Sequence, residues 1–163
     1  MTQQALKKPF EGLRVADFAW VGVGPTVSKY LADHGAEVIR IESSTYPEAL
    51  RRVGPFVNDI PNLDGSGYYA NFNSSKLGMS VNFKHPRGPE LVKRLVATCD
   101  VVTESYTPGT MARFGFDYES LRAIRPDLLM VSMPLYGQTG PWANYMGYGH
   151  VLQAAAGYNH LTG

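Results

Sequence analysis

Chemistry first becomes possible in the glycines and acids near the start of the chain. Gly22 and Gly24 follow the apolar-rich run Leu13 to Trp20, and Pro25 then opens a helical pattern through Val27, Tyr30 and Leu31. Glu42 closes a second apolar run roughly twenty residues further on, the distance at which a dinucleotide-binding fold places its ribose-binding acid. The third glycine of that fingerprint is missing, because Val27 stands where close packing of helix on strand wants Gly. A plain strand-turn-helix unit accounts for the same glycines without any nucleotide, and on this segment both readings stay open. Cys99 is the single cysteine, so an intrachain disulfide is excluded; at the end of an apolar helical pattern it reads as a structural thiol. The histidines at 34, 85, 150 and 160 have no metal-ligand spacing to one another.

Composition narrows the partners. Fifteen Lys and Arg against fourteen Asp and Glu give a net charge of +1, so no global field recruits nucleic acid or an anionic membrane. An anionic ligand must meet a local cluster instead. Apolar stretches such as Leu128 to Met133 are too short to span a bilayer, and Met1 to Lys8 lacks the apolar core of a signal peptide. A soluble, cytoplasmic protein is expected.

The elements that must position these residues alternate along the chain. Leu13 to Trp20 reads as a strand, the pattern from Pro25 to a stop at His34-Gly35 as a helix, and Ala36 to Glu42 as a second strand with period-two alternation. Residues 43–72 carry Pro47, Gly54, Pro55, Pro61, Gly65 and Gly67 with little periodicity and read as a long surface excursion. A strand at Met79 to Phe83 follows, then a helix launched by His85 to Pro89 with Leu91, Val92, Leu95 and Val96 on one stripe, then a strand at Asp100 to Glu104. Pro108-Gly109 begins a helical turn, Asp117 caps a helix through Leu121 and Ile124, and Leu128 to Met133 is a last strand. Such alternation predicts an α/β fold: a Rossmann-like open, mainly parallel sheet with helices on both faces and ligands beyond the carboxyl ends of its strands. The loops to watch are 20–25, 43 onward, 105–113 and 134–148.

Several of these loops together match one family pattern. Leu13-Arg-Val-Ala-Asp-Phe leads into Val23-Gly24-Pro25, and Leu31 to Glu42 follows. Asn73-Ser-Ser-Lys76 precedes Val81-Asn-Phe-Lys84, and Glu104-Ser-Tyr-Thr-Pro-Gly109 precedes Arg113-Phe-Gly115. Tyr136-Gly-Gln-Thr-Gly-Pro141 and Gln153-Ala154 complete the set. Over essentially its whole length the chain resembles family III (CaiB/BaiF-type) coenzyme A transferases, with residues 1–163 corresponding to the amino-terminal part of their coenzyme-A-binding large domain.

The resemblance implies a Rossmann-like domain that binds the adenosine and phosphate parts of coenzyme A. It places coenzyme A contacts on Gly22 and Val23, on Val81, Asn82, Phe83 and Lys84, on Ser105, Tyr106 and Thr107, and on Arg113. Lys84 and Arg113 would supply cationic donors to phosphate, and Tyr106 a ring to adenine. Lys76 falls on a lysine frequent in the family, with a solvated surface side chain as the competing reading. Two basic positions of the formyl-coenzyme A branch are replaced here by Ser43 and Pro134, so Arg40, Arg51 or Arg52 becomes a candidate substitute anchor.

The resemblance further implies transfer of coenzyme A from an acyl thioester to a carboxylic acid acceptor through a single aspartate, with no tightly bound cofactor, in an interlocked homodimer or a heteromer with a related subunit. That aspartate follows a Gln-Ala helix and a Thr-Gly pair by three residues. Gln153-Ala154 and Thr162-Gly163 are present and the third residue beyond lies past this chain, so no catalytic residue is assigned within it and the chain alone is expected to be inactive. Asp17, Asp33, Asp100, Asp117 and Asp127 read as structural; Asp59 and Asp64, in the long loop, are left open. A racemase-like isomerase is the less favoured relative, since Gly147-Tyr148-Gly149 replaces its Gly-His-Asp segment and His150 is shifted by two residues. A noncatalytic coenzyme-A-binding subunit stands as the further alternative.

Overall fold

The computed structural model describes residues 7–163. Five parallel strands, β1 (Arg14–Asp17), β2 (Glu37–Glu42), β3 (Leu77–Ser80), β4 (Val101–Glu104) and β5 (Leu129–Ser132), form one sheet in the order β3-β2-β1-β4-β5. The register Ala16 to Ile39 and Ala16 to Val102 places β1 at the centre.

Strand alternation divides the core. Val15, Val38 and Val101 point to one face, where Ala32 of helix α1 (Val23–Asp33) covers them. Ala16 and Val102 point to the other, beneath Val92 and Val96 of α3 (Gly88–Val96), Met111 of α4 (Thr110–Arg113) and Leu121 of α5 (Tyr118–Arg122). Helices therefore cover both faces, as the sequence predicts. Buried Cys99 belongs to the second cluster, and burial pushes its thiol pKa up, consistent with a structural role.

Local signals account for the element ends. Gly35, at φ +108°, stops α1 as the His34-Gly35 pair predicts. Asp117 accepts the Ser120 N–H at 3.0 Å and so caps α5. Two expectations need correction. The strand placed at Met79 to Phe83 runs from Leu77 to Ser80, with the chain already leaving the sheet at Val81. The excursion 43–72 is not structureless: it contains 3-10 turns at Ala49–Arg52 and Val57–Asp59 and helix α2 (Gly67–Asn73), capped by Ser66, whose hydroxyl accepts the Tyr69 N–H. The same hydroxyl lies 2.7 Å from the Leu50 carbonyl, tying the helix start to the first turn. The chain continues through α6 (Gly149–Ala155) and α7 (Tyr158–Thr162), both largely exposed.

Candidate functional site

The strand order switches direction between β1 and β4, and the loops leaving their carboxyl ends meet there. Phe18 donates its N–H to the Thr103 carbonyl at 2.8 Å, so residues 18–22 start alongside β4. A Cβ added to Gly24 would lie 2.4 Å from the Ala19 Cβ and 3.1 Å from the Ser105 Cβ. Gly24 thus supplies the close approach that the missing third glycine would otherwise provide, while Val27 turns outward.

Side chains from several elements hold the backbone of residues 19–21. Asp17 accepts the Ala19 N–H at 3.1 Å, and Arg40 donates to the Ala19 carbonyl. Ser105 Oγ accepts from the Trp20 N–H at 2.8 Å and donates to the Trp20 carbonyl at 2.9 Å. Glu48 Oε1 accepts the Val21 N–H at 2.9 Å. Val21 sits at φ +60°, a conformation that costs a β-branched residue on the order of 1–3 kcal/mol and persists only where its surroundings impose it. The Trp20 ring stacks on Tyr46 at 5.5 Å and meets Tyr106 edge-on at 5.9 Å.

Beneath this loop lies a buried ionic cluster. Asp17 and Glu48 are 0% exposed and the Arg40 side chain 1%. Arg40 lies 3.6 Å from Asp17 and 3.5 Å from Glu48, and Lys76 donates to Asp17 at 3.0 Å and to the Pro25 carbonyl at 2.9 Å. Ser28 and Thr103 add hydroxyl donors to Asp17. Burial lowers the Lys76 pKa, with Asp17 opposing that shift. Lys76 is therefore a buried structural cation rather than a solvated surface one, and Asp17 is structural as expected. Arg40 is committed to the same cluster and is not an anchor for a soluble phosphate.

Arg51 is committed as well. It holds Glu42 through two bonds of 2.7 and 2.9 Å, reaches Asp64 at 3.1 Å, and lies 3.7 Å above the Tyr69 ring. Burial works against the Glu42 charge, but Arg51 and the Tyr69 hydroxyl outweigh it and hold the carboxyl below its usual range. Of the three substitute anchors considered, only Arg52 remains exposed without such a commitment among the described residues.

The sequence-predicted contacts fall into two groups around this frame. Gly22, the exposed Val23 and the segment Ser105, Tyr106, Thr107 cluster at the β1–β4 switch. Ser105 spends its hydroxyl on Trp20, and burial raises the Tyr106 phenol well above the usual range. Val81 is a core side chain, its N–H bonded to the Glu42 carbonyl at 2.7 Å; Asn82 and Lys84 are exposed beyond it. Phe83 packs against Phe114 at 5.2 Å between centroids, so Lys84 and Arg113 leave neighbouring backbone segments as exposed cations. A cavity of about 230 Å³ lined by Glu104, Thr107, Met111 and Gln138 opens beside α4. Among the described residues no cluster of His, Cys, Asp or Glu suits a metal ion, and no helix is long and apolar enough to cross a membrane.

The sequence profile of CoA-transferase family III matches residues 10–163. The chain belongs to that family. It is 41% identical over 160 residues to the succinate–glutarate CoA-transferase of Agrobacterium fabrum, covering 96% of this chain and 40% of that protein. It is 40% identical to the mouse succinyl-CoA:glutarate CoA-transferase, covering 96% of this chain and 35% of the relative. A CaiB/BaiF family protein from Brucella suis superposes with a TM-score of 0.84 at 37% identity, over 93% of this chain and 40% of the other. The chain thus spans about two fifths of the length of these family III relatives. Residues that sequence reasoning left outside the site, Glu48 above all, act within this family III chain by holding its first loop. Pro47-Glu48 lies in an aperiodic segment and offered no spacing signal.

Proposed function

We propose that the protein carrying this chain transfers coenzyme A from an acyl thioester to a carboxylic acid, and that residues 1–163 supply much of the coenzyme-A-binding region. The supporting observation is the meeting of Gly22, Val23 and Ser105 to Thr107 at the switch point of the sheet, where open parallel sheets bind ligands, in a chain whose relatives are named for coenzyme A transfer. Lys84 and Arg113 offer the charge that the nearly neutral chain otherwise lacks.

In the proposed reaction an aspartate carboxylate, expected three residues beyond Gly163, attacks the donor thioester carbonyl and expels the coenzyme A thiolate, leaving a mixed anhydride. The thiolate attacks the aspartyl carbonyl, releasing the donor as its free carboxylate and forming an aspartyl thioester. The acceptor carboxylate then attacks that thioester and the same two steps run in reverse order, returning the aspartate and forming the new acyl-coenzyme A. The chain's part is to bind and orient the nucleotide end, in an interlocked homodimer or with a related subunit, with no tightly bound cofactor and in the cytoplasm.

The test is turnover by the protein expressed from its whole reading frame, with dicarboxylic acids and their coenzyme A esters as the first panel, because the relatives carry those names. Coenzyme exchange with the wild type, lost on replacing the expected aspartate, supports the proposal. Calorimetric binding of a nicotinamide dinucleotide in place of coenzyme A would overturn it. Residues 1–163 alone are expected to show no turnover above a blank.

A further inference from the structure

Glu48 stands out because it is a fully buried acid delivered to the first loop by a segment that sequence reasoning treated as a surface excursion. Its Oε1 accepts from Val21 N–H at 2.9 Å and from Leu50 N–H at 3.3 Å, so one carboxylate joins the strained loop to the start of the 3-10 turn Ala49–Arg52. Its other oxygen faces Arg40 at 3.5 Å. Arg40 in turn donates to the Ala19 carbonyl, and Ser105 clamps both polar groups of Trp20. Three consecutive residues, 19–21, thus take their backbone hydrogen bonds from side chains of different elements rather than from a helix or ladder. A loop held this way keeps a non-glycine residue at φ +60° immediately before Gly22 and Val23.

The geometry points to Glu48 as a positioning residue: it fixes Val21 in the left-handed region and thereby sets the direction in which Gly22 and Val23 meet the nucleotide. This deepens, and rests on, the coenzyme A reading above. Two features separate positioning from simple charge balance for Arg40. The contact to Val21 needs an oxygen acceptor but not a charge, so Gln keeps it. The conformation imposed on Val21 is one that Gly adopts without restraint, so Gly at that position removes the need for the clamp.

The experiment uses the protein expressed from its whole reading frame. Amide hydrogen exchange across residues 19–23 is measured without ligand, and coenzyme A affinity by calorimetry, alongside KM for each substrate. Glu48→Ala is expected to speed exchange at Val21 and Gly22 and to weaken coenzyme A at least about tenfold, the order of one lost well-placed hydrogen-bonding contact, with KM for the carboxylate acceptor unchanged. Glu48→Gln is expected to stay within about threefold of the wild type, and adding Val21→Gly to Glu48→Ala to recover most of the lost affinity. Equal damage from Gln and Ala, or no recovery with Val21→Gly, overturns the positioning role and leaves Glu48 a counter-ion. Should Glu48→Ala fail to fold, Ser105→Ala removes the neighbouring clamp without touching a charge; faster exchange confined to residues 19–22 supports the proposal and unchanged exchange overturns it. A wild type that binds no coenzyme A but shows the expected exchange pattern sinks the proposed function while the clamp stands; unaltered exchange in Glu48→Ala, with coenzyme A bound normally, sinks the clamp.

Discussion

Lys84 and Arg113 are the cations proposed to meet the coenzyme A phosphates. Both are exposed, and their chain neighbours Phe83 and Phe114 pack together, so the two cations start from backbone segments that the core holds side by side. A charge-assisted contact contributes about 1.5–3 kcal/mol, or roughly ten- to a hundredfold in affinity. Lys84→Ala and Arg113→Ala are each expected to weaken coenzyme A in that range by calorimetry, with a smaller dependence on salt than the wild type, while the melting temperature stays put. Gly24 illustrates the opposite case, a residue defined by what it lacks. Gly24→Ala would drive a methyl into Ala19 and Ser105 and is expected to cost about 1–3 kcal/mol by urea denaturation, because both obstacles are attached to backbone that cannot yield cheaply.

At the scale of elements, strand β2 and the excursion behind it form one unit. Glu42 ends the strand, Arg51 returns to it from a 3-10 turn, and Tyr69 of α2 donates its hydroxyl to the same carboxylate. Burial, followed by that carboxylate, pushes the Tyr69 phenol up to about 12. The folded state therefore keeps a proton that the unfolded chain loses near pH 10. The resulting stabilisation is complete below pH 10 and is lost as pH rises through 12. Urea denaturation at pH 9, 10 and 11 should show stability falling over the upper part of that range in the wild type and falling less steeply in Tyr69→Phe. Lys76 tests the same region from beneath. Removing one partner of a buried pair leaves the other uncompensated, at about 3–5 kcal/mol. Asp17 retains Arg40, Ser28 and Thr103, so Lys76→Met is expected near the lower end by chemical denaturation.

For the molecule as a whole, the apolar surface is unevenly covered. Leu129 and Val131 share the face of Val101 and Thr103, yet are 64% and 40% exposed on edge strand β5. Edge strands with bare apolar faces promote association. Leu129→Lys with Val131→Lys is therefore expected to reduce self-association of residues 1–163 in sedimentation, with little change in melting temperature. Helix α1 shows why such surfaces are hard to foresee. Its pattern of Val27, Tyr30 and Leu31 marks a helix, and Leu31 does pack toward the sheet, but the buried stripe is Gly24, Ser28 and Ala32, while Val23 and Tyr30 face outward. The period was visible and the choice of face was not, since small residues win where a helix must approach a strand closely.

The sequence by itself determined the alternation of strands and helices, the stop at Gly35 and the Asp117 cap, because each depends on chain neighbours or short-range periodicity, and its loop motifs carried the resemblance to family III that the family profile bears out. Only the tertiary structure decided the fate of the charges. The alternation in β2 suggests a polar face for Arg40, but a central parallel strand is covered on both sides, and Arg40 had to be paired in the interior. Lys76 and Glu48 joined it from segments 36 and 8 positions further along the chain. Gly22 and Val23 stand in the motif that suggested a ligand site, but what holds them there is a set of buried side chains with no periodicity in sequence. Such a set is brought together only when the strands pair and the excursion folds back over them, because burying one ion makes its counter-ion obligatory wherever in the chain that counter-ion lies.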